Sequence, residues 1–112
     1  MSKFDDLMAT YLEEAEKIGV SVDADLLTKV TKGLGPSIYN ADSAKVSCGD
    51  QAELDRVKAN FLIKKMGMAD SPDLDSAIQK VCGTFGSSNR NKYRALFYYM
   101  LVKNLGKESQ YA

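Results

Sequence analysis

The sequence predicts an all-α protein, a compact bundle of about five helices with a long ordered loop between the second and third helices. Apolar residues recur at spacings of three and four along most of the chain, which is the pattern of helices with one buried face. Nearly every such segment ends at a glycine, the residue that most often follows a helix. No segment of useful length alternates with the period of two that marks a strand. We expect a single domain over residues 1–112, since this length supports one hydrophobic core.

The first predicted helix runs from about Lys3 to Ile18, with Ser2 as its N-cap. Its apolar face comprises Phe4, Leu7, Met8, Tyr11, Leu12, Ala15 and Ile18. Asp23 caps a short second helix, which ends where two glycines and a proline follow one another in residues 33–36. The inward residues of this helix are Leu26, Leu27 and Val30.

Residues 33–49 form the long connection, and connections of this length in compact domains are often functional. Four apolar side chains favour burial rather than a flexible linker: Leu34, Ile38, Tyr39 and Val46. We therefore expect an ordered loop packed against the helices, with a helical turn at Pro36 to Tyr39. Tyr39 should be partly inserted between the helices.

The third predicted helix spans Asp50 to Met66 and ends at Gly67. Its buried residues are Leu54, Val57, Phe61, Leu62 and Met66. Ser71 and Pro72 are the preferred N-cap and first residues of a fourth helix, which ends at Gly86. Its apolar face comprises Leu74, Ala77, Ile78, Val81, Cys82 and Phe85.

The fifth predicted helix starts after Ser88 and ends at Gly106. Residues 95–102 are eight consecutive apolar residues, and a helix that is apolar on nearly every side belongs in the centre of a protein. The polar tail 107–112 is expected to fray.

The charges are unevenly divided although the net charge is zero. Residues 1–56 hold eleven acidic and six basic residues, a net charge of −5, and residues 57–112 hold four acidic and nine basic residues, a net charge of +5. The two halves could face each other inside the fold or across a homodimer. A pI near 6.2 disfavours a nucleic-acid partner. No apolar run approaches the roughly 20 residues of a membrane span, and the N-terminus lacks a secretory signal, so we expect a cytoplasmic protein.

Cys48 and Cys82 lie 34 positions apart and form no Cys-x-x-Cys motif. The chain has no histidine, so the usual zinc and haem ligand sets are missing, and the sequence predicts no metal and no cofactor. We interpret the cysteines as two reduced thiols, one in a loop and one near the core. A redox pair is the alternative.

The start of the fifth predicted helix is a candidate anion site. With Ser88 as its N-cap, the first main-chain amides have no partner within the helix and, together with three cations, could hold a phosphate or carboxylate. The candidate residues are Ser88, Asn89, Arg90, Asn91, Lys92 and Arg94. Arg90, Arg94 and Tyr98 share a helical stripe, so Arg94 could stack over Tyr98. The alternative, which we favour, is that carboxylates of the acidic half dock on these donors.

The sequence nominates no catalytic residue. Without histidine, proton transfer would need carboxylates, lysines, tyrosines or cysteines with shifted pKa values, and no pattern selects one. If the protein is nevertheless a small enzyme, the loop residues to test are Tyr39, Asn40 and Asp42. That hypothesis requires a cleft joining the 33–49 loop to the start of the fifth helix.

Three strings resemble a small bacterial single-domain family of unknown function. They are residues 26–42, with Gly-Pro-Ser-Ile-Tyr-Asn, residues 60–67, and residues 88–99, with Ser-Asn-Arg-Asn-Lys-Tyr-Arg. The resemblance extends over almost the whole chain and implies a bacterial single-domain protein. It implies no activity, cofactor or catalytic residue.

The resulting functional hypothesis is a binding module that recognises a protein partner or a second copy of itself. The alternative is a module that binds an anion, namely phosphate, a nucleotide or a nucleic-acid backbone, at the start of the last helix. Composition favours neither a membrane nor an enzymatic role.

Overall fold

The computed structural model describes residues 3–40 and 43–111, and it is all-α over these ranges. Its elements are, in chain order, α1 (Lys3–Lys17), α2 (Ala24–Leu34), a 3-10 turn (Gly35–Tyr39), α3 (Gln51–Arg56) continued by a π-helix (Val57–Lys65), α4 (Pro72–Phe85), α5 (Arg94–Asn104) and a second 3-10 turn (Glu108–Tyr111). Within the described ranges, no helix is long and apolar enough to cross a membrane.

Helix α5 lies at the centre of the fold, as its apolar run predicts. Every residue from Ala95 to Val102 is buried, and α5 contacts α1, α2 and α4. The Phe61 ring of the π-helix stacks on Tyr98 with centroids 4.0 Å apart, and Phe85 of α4 stacks on Phe97 at 6.0 Å. A helix without a polar face is thus surrounded by the others.

Local capping signals place most of the helix ends correctly. The Asp23 carboxylate accepts hydrogen bonds from two main-chain amides in the first turn of α2 at 3.0 and 3.3 Å. α4 begins at Pro72 directly after Ser71, although the serine side chain makes no capping hydrogen bond. α1 ends at Lys17, one residue earlier than predicted. Ser2, its predicted N-cap, lies outside the described residues.

Leu12, a predicted core residue, is on the surface, so that prediction is wrong, whereas Tyr39, predicted to be partly inserted, is about half exposed. Leu12 is 39% exposed because the buried stripe of α1 runs along Tyr11, Glu14 and Ala15, and Leu12 lies at its margin. Tyr39 is 49% exposed because the neighbouring Ile38 occupies the core position of the 3-10 turn. The turn itself is confirmed.

The predicted third helix is π-helical over most of its length. The main-chain N–H of Met66 donates to the carbonyl of Phe61, five residues earlier, at 2.9 Å. All five predicted core residues of this segment are buried, and the helix ends at Gly67, whose φ is +69°. The apolar residues fit the wider helix because they fall at spacings near four and five.

The fifth helix begins at Arg94 and not after Ser88, so the predicted start is wrong. The segment before it pairs with the long loop instead: the Val46 N–H donates to the Lys92 carbonyl, and the Arg94 N–H donates to the Ala44 carbonyl, both at 2.8 Å. These bonds enclose an isolated antiparallel bridge between residues 45 and 93. Main-chain groups engaged across such a bridge are not available to a helical turn.

The polar tail is more ordered than its composition predicts. Residues 108–111 form a 3-10 turn, and Tyr111 is half-buried against the core. Burial raises the pKa of the Tyr111 hydroxyl, and Tyr98 nearby raises it further.

Candidate anion-binding cleft

A cleft of about 720 Å³ lies between the end of the long loop and the segment before α5. We call it the cationic cleft. Its lining residues are Lys45, Val46, Ser47, Cys48, Gly49, Asp50, Ser87, Ser88, Asn89, Arg90 and Lys92. The antiparallel pairing of residues 44–46 with 92–94 holds these two walls beside each other.

A disulfide joins the loop wall to helix α4. Cys48 is bonded to Cys82, with their Cα atoms 6.0 Å apart, so the prediction of two reduced thiols is wrong. Sequence separation gave no sign of this proximity, because it arises only when the loop folds back over the end of α4. A smaller cleft of about 370 Å³ adjoins the disulfide and shares Cys48, Gly49, Ser87 and Lys92 with the cationic cleft.

Lys92 is the buried cation of the cleft. The residue is only 8% exposed, yet it lines both clefts. Its ammonium donates to the main-chain carbonyl of Asn89 and has no other partner among the described residues. An ammonium has three N–H donors and is costly to bury without a counter-charge. The cleft therefore holds positive charge that the described residues leave uncompensated.

Arg90 is the exposed cation of the cleft. It has no hydrogen bond or ion pair with any described residue. The main-chain N–H groups of Ser87, Ser88 and Arg90 likewise donate to no acceptor in the described ranges. A cation beside hydroxyl and amide donors can bind the oxygens of a phosphate or carboxylate.

The remaining charged residues of the cleft have neutral or local partners. Lys45 donates to the side chain of Asn91 at 3.4 Å and lies 5.3 Å from the centre of the Tyr93 ring. Asp50 is the one carboxylate that the described lining contains, and it accepts a hydrogen bond from the Ala52 amide as the N-cap of α3. Positive charge therefore predominates in the cleft.

Arg94 belongs to the interior and not to the cleft. Its guanidinium forms an ion pair with Glu53, donates to the carbonyl of Ser43 at 2.6 Å and to that of Lys45 at 3.3 Å, and donates to the Tyr98 hydroxyl at 2.9 Å. It also lies 5.6 Å from the centre of the Tyr98 ring, so the predicted stacking is confirmed. Arg94 thereby fastens the long loop to α5.

The Glu53–Arg94 pair shifts the pKa of both partners. Burial alone raises the pKa of Glu53, but hydrogen bonds from Arg56 and Arg94 outweigh that effect and lower it. Burial alone lowers the pKa of Arg94, and interactions with Tyr98 and Glu53 outweigh it and raise the value. Both shifts favour the charged pair.

Asn89 and Asn91 have structural roles beside the cleft. The Asn89 amide group donates to the buried carboxylate of Glu14 at 2.8 Å, and its oxygen accepts the main-chain N–H of Asn91 at 2.7 Å. Glu14 and Glu53 both come from the acidic half of the chain. The alternative that carboxylates dock on this segment is thus confirmed for Asn89 and Arg94.

The loop candidates for an enzyme lie elsewhere. Tyr39 borders a separate cleft of about 280 Å³ together with Lys3, Asp6, Leu7 and Ile38. Asn40 is exposed, and Asp42 lies outside the described residues. The cationic cleft does join the long loop to the segment before α5, but its described lining includes neither Tyr39 nor Asn40.

Sequence reasoning selected Ser88, Asn89, Arg90 and Lys92 but missed the opposite wall. Lys45, Ser47, Cys48 and Asp50 are separated from them by some forty residues and carry no motif. The even number of cysteines was the one feature of the sequence that could have indicated a disulfide and so placed Cys48 near α4. Among the described residues, no group of three or more carboxylate or cysteine side chains could hold a metal ion.

Residues 10–109 match the model of a protein family of unknown function, DUF2853. No curated protein is significantly similar to the chain in sequence.

Proposed function

This chain belongs to the DUF2853 family, whose function is unknown, and we propose from its own geometry that it is a single-domain binding module for an anion. The cationic cleft is the proposed site, and a phosphate or carboxylate group is the proposed ligand. The site differs from the one that the sequence predicts, because it is a cleft between two loops and not a helix N-terminus.

The observation that supports the proposal most strongly is the burial of Lys92. In the described ranges the Lys92 ammonium has one neutral carbonyl as its partner, and an anion beside it would add charge-assisted hydrogen bonds. Lys92 borders both clefts, so an anion entering either of them can accept those hydrogen bonds. Arg90 then provides a second contact from the exposed rim.

The size of the cleft favours a small organic anion. A volume of about 720 Å³ is within the range of small-molecule sites, which extends from roughly 300 to 1,000 Å³. A phosphate near Lys92 leaves room for a sugar or a similar polar group along the walls. A nucleotide or a phosphorylated metabolite therefore fits better than a long nucleic-acid backbone.

The test is an amide-shift titration of the ¹⁵N-labelled protein with inorganic phosphate, a nucleoside monophosphate and a short oligonucleotide. We expect saturable shifts confined to residues 45–50 and 87–92, and weaker binding as the salt concentration rises. Shifts scattered over the surface without saturation would contradict the proposal.

Substitutions inside and outside the cleft test whether phosphate binds there. Arg90→Ala and Lys92→Gln should each weaken phosphate binding about 10- to 100-fold, the effect of losing a hydrogen bond to a charged group. Lys64→Ala is the matched control, because Lys64 is an exposed lysine outside the cleft. An equal effect of all three variants would indicate a general charge effect and not a site.

A second candidate function is association with a protein partner or another copy of the chain. One ion pair among the described residues, Glu53–Arg94, joins the acidic half to the basic half, so much of the opposite charge stays on the surface. Leu12 and Tyr39 are the large exposed apolar side chains of the described ranges. Light scattering should then show a mass above that of one chain at low salt and the mass of one chain at high salt.

The cytoplasmic location and bacterial origin stay predictions. Disulfides are rare in reducing cytosol, so the Cys48–Cys82 bond bears directly on location. Alkylation of free thiols at the moment of cell lysis, followed by mass spectrometry, tests it. Two alkylated cysteines would support a cytoplasmic protein with a reducible bond, and an intact bond would favour an oxidising compartment.

A further inference from the structure

We infer that the cationic cleft is also a site of thiol–disulfide exchange, at which an anionic low-molecular-weight thiol attacks the Cys48 sulfur. The recognition of the anionic group rests on the proposed function of the cleft. The exchange itself rests on where the disulfide lies.

The two cysteines differ in their access to the cleft. Cys48 is half-buried and lines both the cationic cleft and the smaller one beside it. Cys82 is 8% exposed and borders only the smaller of the two clefts. From this difference in access we assign Cys48 as the sulfur that a thiol bound in the cationic cleft attacks, and Cys82 as the leaving group.

The charges of the cleft select the thiol. Lys45, Arg90 and Lys92 line the same cleft as Cys48 and outnumber the one carboxylate of its described lining, that of Asp50. Cations attract both the thiolate form of an incoming thiol and any carboxylate or sulfonate that it carries. A cationic thiol is repelled by the same residues.

The reaction requires no reagent beyond the thiol. The thiolate sulfur forms a bond with Cys48 as the Cys48–Cys82 bond breaks, and Cys82 departs as a thiolate with the bonding electron pair and takes a proton from water. A second thiolate attacks the mixed disulfide at the sulfur of the small molecule and releases Cys48 as a thiolate. In total, two small thiols are oxidised to one disulfide and the protein disulfide is reduced to two thiols.

The first experiment compares the rates at which three thiols reduce the oxidised protein. They are 2-mercaptoethanesulfonate, 2-mercaptoethanol and cysteamine, which are anionic, neutral and cationic. Each rate is divided by the rate of the same thiol with a small uncharged disulfide, which removes intrinsic reactivity. We expect the anionic thiol to exceed the cationic one by about tenfold or more at low salt.

The preference for the anionic thiol should depend on the cations that line the cleft. Arg90→Ala and Lys92→Gln should reduce it, and Lys64→Ala should retain it. With limiting thiol and an acid quench, peptide mapping should place the adduct on Cys48. An adduct on Cys82, or normalised rates that do not depend on thiol charge, would overturn the inference.

Phosphate titration separates this inference from the proposed function. Phosphate binding without a charge preference among the thiols leaves the binding module standing and overturns the exchange site. A charge preference that depends on Arg90, without phosphate binding, supports the exchange site and overturns the binding of free phosphate.

Discussion

Arg90 and Arg94 lie four residues apart, and their surroundings give them different roles. Arg94 has partners on four sides and is 14% exposed, whereas Arg90 points into solvent without a partner in the described ranges. The sequence places both among the anion candidates because it shows charge and spacing only. Which arginine is free depends on Glu53 and on the 43–45 main chain, which are distant in sequence.

Acid should weaken the Glu53–Arg94 pair. The folded protein holds the pKa of Glu53 below its ordinary value of 4.5. The contribution of the pair to stability is therefore complete above about pH 4.5 and is lost as the pH falls through the lowered pKa. The difference in Tm between the wild type and Glu53→Gln should shrink in that range. A difference that is constant from pH 7 to pH 3 would contradict this account.

A pair of leucine truncations tests which apolar residues form the core. Leu96→Ala removes a side chain that is 0% exposed and should lower the free energy of unfolding by about 2–5 kcal/mol. Leu12→Ala, the matched control on the surface of α1, should cost less than about 0.5 kcal/mol. Urea denaturation measures both. Similar losses in the free energy of unfolding for the two variants would contradict the central position of α5.

At the scale of elements, the helix starts that were predicted from neighbouring capping residues were confirmed for α2 and α4. The Asp23 cap sets the start of α2, and α4 begins at Pro72 as the Ser71-Pro72 pair predicts, although Ser71 makes no capping hydrogen bond. The start of α5 was not predictable, because the bridge to residue 45 decides it and no residue in 88–93 encodes that pairing. The π-helix was missed for a different reason: its apolar residues also fit one face of an α-helix.

The disulfide, which joins the long loop to α4, should make a measurable contribution to the stability of the fold. It joins positions 34 residues apart, and in the chain-entropy description closing such a loop stabilises a protein by about 3–4 kcal/mol. Replacing both cysteines, as Cys48→Ser with Cys82→Ser, should lower the stability by up to that amount. A reductant should destabilise the wild type similarly and leave the double variant unchanged. Equal stability of the oxidised wild type and the variant would contradict this account.

At the scale of the whole molecule, the described chain is as compact as its length requires. Its Cα radius of gyration is 13.0 Å, close to the roughly 13 Å expected for a folded chain of this size. The all-α class and the central helix were predictable because they follow from periodicity and composition. The cationic cleft was only half predictable, since one of its two walls carries a recognisable group of residues.

Ligand binding should raise the stability of the molecule as a whole. For a site with a Kd of about 1 mM, 10 mM phosphate adds about 1.4 kcal/mol to the free energy of unfolding. In a small domain this raises the Tm by about 5–10 °C. Sodium chloride at equal ionic strength and the Arg90→Ala variant are the controls. An equal rise in the variant would assign the effect to the solvent and not to the cleft.

The π-helix has a consequence for changes in chain length. Deleting one residue from an α-helix rotates everything beyond it by about 100° and takes its buried face out of the core. Between Val57 and Lys65, each main-chain hydrogen bond spans one residue more than in an α-helix. Loss of an exposed residue there, such as Asn60, can be absorbed by tightening the helix while Met66 stays in place. We expect this segment to accept a deletion that would unfold the protein if it were made in α5.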